Sequence, residues 1–348
     1  MYDFDFRFLN TKNKPTSYFD KQGSIEQEGV YFDGEMLAFS EIQEVVRYRN
    51  RLSIIIKAGA RTAVDEFLLP HFNGFMIRVD EQEAFDIKSM IDRRYTELQV
   101  EERKQELKAQ DELHNFRKTE CPTCRSHIDL SYLAPTRYIF CRYCDSIFNK
   151  YGNYTDLNDY KICPVCHYYN RVQVTPRVEA YFYGKEEKEF TFESSYQCDS
   201  CTERELRHRF WKNLPFVVGA VGDFIAKNRI ETDIDSSYAE LTKANLLAFL
   251  GKVEEAKPLY ESMFLYVKDQ PGVLYDFGKA YLDSALLLLQ DEEFTGDEAA
   301  LPYIKEAVHW LSRCLKMCAN YQPAIKLFED NEELEYEIED DEFEEEDW

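Results

Sequence analysis

Short apolar runs separated by turn-forming residues fill the N-terminal region of the chain. Turn signals stand at Asp33-Gly34, Arg49-Asn-Arg51, Gly59 and Asn73-Gly74. Short runs rich in β-branched and aromatic residues are typical of strands, and such close turns favour antiparallel neighbours. The predicted strands cover residues 4–9, 24–32, 44–49, 52–57, 62–69 and 75–79. We therefore expect one small antiparallel barrel or sheet here.

Near Asp80 the apolar spacing changes to the helical period. The positions that share one face are Phe85, Ile87, Met90, Ile91, Tyr95 and Leu98. Strands followed by a closing helix resemble the pleckstrin-homology-like family, and we assign residues 1–98 to such a domain. Some members of that family bind phosphoinositides through a basic loop, and Arg47, Arg49 and Arg51 form a dense basic cluster here. These arginines also fit an ordinary solvated strand face.

Beyond Tyr95 the helical pattern loses its apolar face. Residues 99–117 instead carry opposite charges three and four positions apart, which stabilise a helix in water. We expect a solvated spacer helix over this segment. The alternative is a short coiled-coil contact through Leu107 and Leu113.

From about Ser237 the pattern is again helical, and it repeats with a step of 34 residues from Ala244 to Gly278. Small and aromatic residues recur at matching places: Ala256, Tyr260, Leu274, Phe277, Tyr281, Ala307, Leu311 and Cys314. This spacing resembles the tetratricopeptide repeat, which implies paired helices over residues 213–328. An acidic insertion at residues 291–298, and two units where about three are usual, depart from that pattern. We expect the apolar segment 214–226 to pack against the repeats as a buried helix, and Cys314 and Cys318 to be small core residues.

The net charge of -24 is unevenly distributed. Residues 1–116 carry a net charge of -6, residues 117–230 carry +3 and residues 231–348 carry -21. The last segment, residues 329–348, has fourteen acids and no base, and self-repulsion predicts a disordered acidic tail. Apolar residues recur in that tail, so it fits either a solubility device or a segment that recruits a protein partner with a basic surface.

Four Cys-x-x-Cys pairs carry the candidate chemistry. The first two pairs have sixteen residues between them and the last two have thirty-one, with a predicted β-hairpin over residues 178–196 that would bring the distant pair back. Two such turns can complete a four-thiolate shell suited to Zn²⁺. The predicted ligands are Cys121, Cys124, Cys141 and Cys144 in one site and Cys163, Cys166, Cys198 and Cys201 in the other. The pairs resemble zinc ribbons in tandem over residues 118–212.

The eight cysteines are predicted to hold two structural zinc ions per chain, because a closed thiolate shell leaves no position for water or substrate. A thioredoxin-like redox role is disfavoured because such motifs are single. Disulfides are disfavoured because the N-terminus lacks a signal-peptide pattern, which favours a reducing cytoplasmic location. His127 and His167 lie near ligand cysteines and could replace one, but four thiols are already present for each site.

These patterns together predict a multidomain α+β protein. The sequence contains no phosphate loop, no nucleophile elbow and no His-Glu-x-x-His motif. We expect a non-enzymatic zinc-binding adaptor or scaffold that mediates protein-protein interactions. One alternative is a nucleic-acid or transcription-associated factor, favoured by Arg137, Arg142, Arg171, Arg177 and the run Arg204–Lys212 but opposed by the charge of the neighbouring acidic domain. Another alternative is a peripheral membrane-associated adaptor.

Overall fold

The N-terminal strands form one seven-stranded antiparallel sheet. The structure, a computed structural model, describes residues 1–59, 64, 67–70, 72–149, 160–183, 187–213, 238, 240–267, 269–290 and 296–331. The strands are β1 (Tyr2–Leu9), β2 (Lys21–Ile25), β3 (Gly29–Phe32), β4 (Glu35–Ala38), β5 (Ile42–Tyr48), β6 (Arg51–Ile56) and β7 (Gly74–Arg78), in the order β4-β3-β2-β1-β7-β6-β5. The predicted N-terminal antiparallel sheet is confirmed.

Alternation along each strand puts one face of this sheet into a core. Phe4, Phe6 and Phe8 of β1 are buried, and the Phe6 ring lies edge-on to the Phe8 ring at 5.0 Å and to the Phe32 ring at 5.5 Å. Edge-to-face contacts of this kind stabilise aromatic clusters beyond the burial of area. The predicted run 24–32 is divided between β2 and β3, and the predicted strand over residues 62–69 falls largely outside the described residues.

The hairpin between β3 and β4 shows how the sequence selects a turn. Phe32 pairs with Glu35, which leaves a two-residue loop of Asp33 and Gly34 with φ angles of 57° and 91°. Two consecutive left-handed residues match the twist of antiparallel strands, and Asp-Gly adopts them with little strain. The sequence signal at Asp33-Gly34 therefore marks a real turn.

A helix, α1 (Ala84–Ala109), follows the sheet and packs on it. The predicted apolar face is present, since Ile87, Ile91 and Tyr95 are buried, although Leu98 is 43% exposed. The helix continues through the predicted spacer without a break, and Val100 and Leu107 within that stretch are buried. The second half of α1 is therefore only partly solvated, because it also covers the segment that follows it.

The chain divides into two compact units. Unit 1 contains Met1–Ala134 and Cys141–Cys144, and unit 2 contains Pro135–Phe140 and Asp145–Trp348. In unit 1, β8 (Lys118–Glu120) and β9 (His127–Asp129) form a two-stranded antiparallel sheet next to α1. The division between the units thus falls inside the segment predicted to hold tandem ribbons.

Small sheets begin unit 2. Strand β10 (Tyr138–Cys141) pairs with β11 (Ser146–Asn149), and β12 (Tyr160–Ile162), β13 (Tyr169–Tyr183) and β14 (Glu187–Cys198) form a three-stranded sheet. Strands β13 and β14 pair antiparallel from Val172↔Cys198 to Tyr183↔Glu187. The predicted hairpin is confirmed, and its strands are longer than the sequence indicated. Helix α2 (Asp199–Asn213) starts directly after β14.

The described residues of unit 2 form five further helices: α3 (Leu241–Phe249), α4 (Val253–Phe264), α5 (Pro271–Leu289), α6 (Gly296–Met317) and α7 (Gln322–Asp330). Consecutive helices pack on each other, so the predicted C-terminal helical region is confirmed. Gly278 of α5 allows a close approach to α6, because a Cβ there would lie 2.7 Å from Cγ of Leu311. The predicted buried helix over residues 214–226 lies outside the described residues. The acidic tail was predicted to start at residue 329, but Glu329 and Asp330 are the last residues of α7, and residues 332–348 lie outside the described residues.

Candidate metal centres

The eight predicted ligand cysteines meet in two separate groups. Centre 1 consists of Cys121, Cys124, Cys141 and Cys144 and lies in unit 1, whereas centre 2 consists of Cys163, Cys166, Cys198 and Cys201 and lies in unit 2. In each group the four sulfur atoms lie within 4.8 Å of one another. The groups join neighbouring Cys-x-x-Cys pairs along the chain, as the spacing predicted.

The first turn of each centre has the same backbone hydrogen bonds. In centre 1 the Arg125 amide donates to the Cys121 carbonyl and the Cys121 amide donates to the Ser126 carbonyl, each at 2.9 Å. In centre 2 the His167 amide donates to Cys163 and Cys163 donates to Tyr168, again at 2.9 Å. Arg125 and His167 both adopt a left-handed φ, at 63° and 59°. This turn points both sulfurs of a Cys-x-x-Cys pair to the same side.

The second turns are built differently. Cys141 ends β10, and Cys144 donates its amide to the Cys141 carbonyl at 3.3 Å in a tight turn before β11. Cys198 ends β14, and Cys201 lies in the first turn of α2. The pairing of Val172 with Cys198 shows how the long hairpin returns the chain to the first turn of centre 2. The thirty-one residues between the two turns of centre 2 are thus accounted for by strands.

The sulfur separations match a tetrahedral ion. A tetrahedron with metal–sulfur bonds of about 2.3 Å has sulfur–sulfur edges of about 3.8 Å. The Cys121–Cys144 and Cys124–Cys141 sulfurs are each 3.6 Å apart. In centre 2 the Cys163–Cys201 and Cys166–Cys198 separations are 4.0 Å and 3.6 Å. These distances are far longer than a disulfide bond of about 2.05 Å, so each group fits a metal shell rather than a pair of disulfides.

Backbone amides and neighbouring thiols surround the sulfurs of centre 2. The backbone amides of Val165 and Cys198 point at Sγ of Cys163 at 3.4 Å and 3.3 Å, and the Cys201 amide points at Sγ of Cys198 at 3.4 Å. Hydrogen bonds from the neighbouring thiols hold the pKa of Cys163 well below its ordinary value and raise the pKa of Cys198 well above its ordinary value. Four adjacent thiols cannot all ionise alone, and a divalent cation would supply the charge that lets them do so.

Both shells are closed. Seven of the eight cysteines are buried, and Cys144 is half-buried. Each group already offers four ligand atoms, which fills the coordination of a tetrahedral ion and leaves no position for a reacting water. Such a centre can stabilise a small fold, and its geometry does not favour hydrolysis or group transfer.

The other candidate ligands lie elsewhere. His127 is on β9, where burial lowers its pKa, and the carbonyl of His167 accepts a hydrogen bond from Tyr275 at 3.0 Å. Neither histidine joins a metal-competent group within the described part of the chain. Cys314 and Cys318 are buried among the helices, and the Cys314 thiol donates to the Pro271 carbonyl at 3.2 Å. They are core residues, as the sequence predicted.

The sequence did not reveal the polar junction that joins centre 2 to the helices. We use this name for Tyr169, Asn245, Tyr260, Gln270 and Asp276, all of which are buried. Asp276 accepts from the Tyr169 amide at 2.5 Å and from Asn245 at 2.8 Å, while Asn245 also donates to the Tyr169 carbonyl at 2.9 Å. Tyr260 donates to Asn245 at 2.6 Å, and Gln270 donates to the Tyr169 hydroxyl at 2.9 Å. In the sequence, polar residues on otherwise apolar helix faces were the feature that could have indicated this junction.

Burial raises the pKa of Asp276 well above its ordinary value, and the hydrogen bonds from Tyr169 and Asn245 lower it in the opposite sense. Nearby, Tyr168 donates to Asp283 at 2.7 Å, and Ser200 donates to the Thr242 carbonyl at 2.8 Å. The residues that flank both turns of centre 2 are therefore bonded directly to α3 and α5.

No family model matches this chain, and no match to it was found among curated proteins or among solved structures. Within the described ranges, every helix is too short or too polar to cross a lipid bilayer.

Proposed function

We propose that this protein is a non-enzymatic adaptor in which two structural zinc ions support surfaces for protein–protein interaction. The observation that carries the proposal is the pair of closed four-sulfur shells, whose edges of 3.6–4.0 Å fit a tetrahedral ion. Four thiolates in this geometry suit Zn²⁺, which needs no redox partner and no open site. In this proposal both centres replace hydrophobic core that small modules lack.

We also propose that three regions of the chain resemble particular families. The strand order of the N-terminal sheet and its closing helix support a pleckstrin-homology-like domain, and the first turns of the two centres support zinc ribbons. The helical region supports a tetratricopeptide-like arrangement, because the aligned positions Ala256, Phe277 and Ala307 are all fully buried. Each resemblance is to a module that recruits other molecules by its surface rather than by catalysis.

The helical region offers a candidate partner surface. Leu265 and Tyr266, which follow α4, are 81% and 75% exposed. Adjacent apolar side chains that remain in water are common at interaction sites. The net charge of -21 on residues 231–348 would attract a protein with a basic surface, and it would act over a longer range than these contacts.

The nucleic-acid alternative is less well supported, because several of its candidate arginines already have partners. Arg171 pairs with Asp199 at 2.7 Å, and the Arg204 guanidinium lies over the Phe249 ring at 4.1 Å. Arg207 pairs with Glu203 at 2.5 Å. A groove that tracks a phosphate backbone needs basic groups that are available to it.

The proposal is tested on the full-length protein in two steps. Elemental analysis should find two zinc ions per chain, and a different metal or a single ion would contradict the structural-zinc assignment. Affinity capture from native extract, with cross-linking and mass spectrometry, then compares wild type with a Leu265→Asp/Tyr266→Asp variant. The matched control is Tyr18→Asp/Phe19→Asp, which changes an equally adjacent pair that is 94% and 84% exposed in unit 1.

The expected result is that the Leu265/Tyr266 variant loses specific cross-linked partners that the control retains. If both variants and wild type recover the same partners at the same yield, the helical region is not the partner surface. If wild type recovers no partner that can be cross-linked, the adaptor proposal is wrong.

A further inference from the structure

Three arginines from neighbouring strands line up on the outer face of the N-terminal sheet. Arg78 of β7 stands directly opposite Arg7 of β1 on one side and directly opposite Arg51 of β6 on the other. Opposed residues in antiparallel strands have Cα atoms about 5 Å apart, so their side chains share one small surface. We call Arg7, Arg78 and Arg51 the arginine row.

The alternation of each strand fixes which face the row occupies. Phe6 and Phe8 flank Arg7 and are buried, Ile77 precedes Arg78 and is buried, and Leu52 follows Arg51 and is buried. The three arginines therefore point away from the aromatic core. Asp3 and Asp5 lie on the same outer face of β1, so the positive charge is confined to the end of the sheet where Arg7 lies.

Like charges directly opposite each other destabilise a sheet unless something neutralises them. Arg7 is neutralised by Asp20, with contacts of 2.5 Å and 3.2 Å to its two carboxylate oxygens. The Arg51 guanidinium lies over the Tyr48 ring, 4.6 Å from its centroid. For Arg78, by contrast, the described residues provide no carboxylate within ion-pair distance. The two outer arginines are thus held in place, and the central one has no carboxylate partner in the part of the chain that the structure describes.

We propose that the arginine row binds a phosphate group, either of a soluble phosphorylated molecule or of a lipid headgroup. A guanidinium offers a planar fork of donors that matches phosphate oxygens, and adjacent forks can share one doubly charged anion. The flanking contacts to Asp20 and Tyr48 reduce the side-chain freedom that would be lost on binding. A bound phosphate also removes the repulsion that remains between the opposed guanidinium groups of Arg78 and Arg51.

The site differs from the basic cluster noted in the sequence. Arg47 stands opposite Leu52 and therefore lies on the other face of the sheet, where its guanidinium is 5.3 Å from the Phe85 ring centroid. Arg49 is in the β5–β6 turn and pairs with Glu81 at 3.4 Å. Arg7 and Arg78 join Arg51 through register alone, which no linear motif shows.

The test uses thermal unfolding of the full-length protein with inorganic pyrophosphate, compared with sodium chloride at equal ionic strength. Wild type should be stabilised by pyrophosphate beyond the salt control. Arg78→Gln should bind pyrophosphate about tenfold more weakly, because it removes the hydrogen bonds of a charged donor. The matched control is Arg47→Gln, which makes the same charge change on the opposite face and should behave as wild type. Metal content is measured afterwards, because pyrophosphate can chelate metal ions.

Vesicle sedimentation distinguishes the two sources of phosphate. Vesicles of phosphatidylcholine with phosphatidic acid present a phosphate monoester, whereas those with phosphatidylserine present similar negative charge without one. Binding to phosphatidic acid vesicles that Arg78→Gln abolishes would assign a lipid headgroup, and pyrophosphate binding without vesicle binding would assign a soluble ligand. Arg78→Lys, which keeps the charge and loses the fork, should fall between wild type and Arg78→Gln.

Three outcomes would overturn the proposal. The first is a pyrophosphate effect no larger than that of chloride, with no vesicle binding. The second is an equal loss in Arg47→Gln and Arg78→Gln, which would indicate a general charge effect. The third is tighter, Arg78-dependent binding of a single-stranded oligonucleotide than of pyrophosphate. If Arg78→Gln does not fold by circular dichroism, Arg51→Gln replaces it in the same comparison.

Discussion

The first turns of centre 1 and centre 2 have the same hydrogen bonds, but the two centres have different surroundings. Around centre 1, the His127 amide donates to Thr96 of α1 at 3.0 Å, and the Tyr143 ring meets the Tyr95 ring at 6.0 Å. Around centre 2, Tyr168 and Tyr169 are fully buried and bonded to α5, and Ser200 is bonded to α3. Centre 1 closes a small module beside one helix, whereas centre 2 belongs to the core that the helices share. The same ligand set can therefore stabilise very different amounts of structure.

The largest effect should come from removing one ligand of each centre. Cys163→Ser should lower the unfolding temperature of the helices in unit 2, because Tyr168 and Tyr169 follow directly from the turn that it disrupts. Cys121→Ser should leave the helical transition of unit 2 in place. Structural zinc contributes about 10–16 kcal/mol of binding free energy in small peptides, so the loss should be plain in calorimetry.

Metal content serves as the control, since each variant should lose one equivalent. Limited proteolysis should then cut within α3–α7 in Cys163→Ser and spare them in Cys121→Ser. Equal destabilisation of the helices by both substitutions would contradict the difference drawn between the centres.

The second comparison removes one hydrogen-bonding side chain near each centre. Asn245→Ala takes a donor from Asp276 and an acceptor from Tyr260, and it leaves these buried groups unsatisfied at a cost of about 3 kcal/mol. Thr96→Ala removes the acceptor of the His127 amide and should cost about 1 kcal/mol. Denaturant unfolding with a probe in each unit measures both values. If Thr96→Ala lowers the unfolding free energy more than Asn245→Ala does, the expected order of the two effects is wrong.

These contacts also show which features of the structure could not be predicted from the sequence. The Cys-x-x-Cys spacing was enough to group the eight ligands, and Asp33-Gly34 was enough to place a hairpin. The polar junction joins Tyr169 to Asp276, 107 residues apart, and no local period relates such positions. Burial of Val100 was not predicted, and Leu107 was named only for an alternative coiled-coil contact. Charged residues surround both, and a helix that covers a neighbour needs only one buried residue in each turn or two. The register that aligns Arg7, Arg78 and Arg51 is likewise a property of pairing rather than of composition.

The third comparison is the pH dependence of the stability of unit 1, which should depend on Asp92. Burial raises the pKa of Asp92 from 3.8 to about 6, although the ion pair with Lys88 acts in the opposite direction. The carboxyl group of Asp92 therefore binds its proton more tightly in the folded state than in the unfolded state. The contribution of Asp92 to the unfolding free energy is present below about pH 4 and is lost as pH rises to about 6, by about 2 kcal/mol.

Asp92→Asn tests that assignment, since the residue then has no proton to bind. The difference in unfolding free energy between wild type and Asp92→Asn should change between pH 4 and 6 and stay constant from pH 7 to 8. A difference that does not vary with pH would show that Asp92 titrates as an ordinary carboxyl.

The smallest effect should follow deletion of residues 332–348, beyond the end of α7. The metal content and both unfolding transitions should change by less than about 0.5 kcal/mol, as for most surface changes. Capture of a partner with a basic surface should weaken at low salt and become less sensitive to salt, because a long-range attraction is removed. Unchanged salt dependence would leave the acidic segment with a role in solubility alone.

The composition of unit 1 has a consequence for how the protein is made. Its last four residues, Cys141–Cys144, are separated from Ala134 by a stretch that belongs to unit 2. A nascent chain that has emerged only as far as Ala134 carries two of the four sulfurs of centre 1, and it cannot hold an ion in a closed shell. Domains generally fold in order from the N-terminus during synthesis. Here the ribosome must deliver residues 135–140, which belong to unit 2, before all four sulfurs of centre 1 are available to an ion. Unit 1 therefore cannot be completed until the first residues of unit 2 have been made.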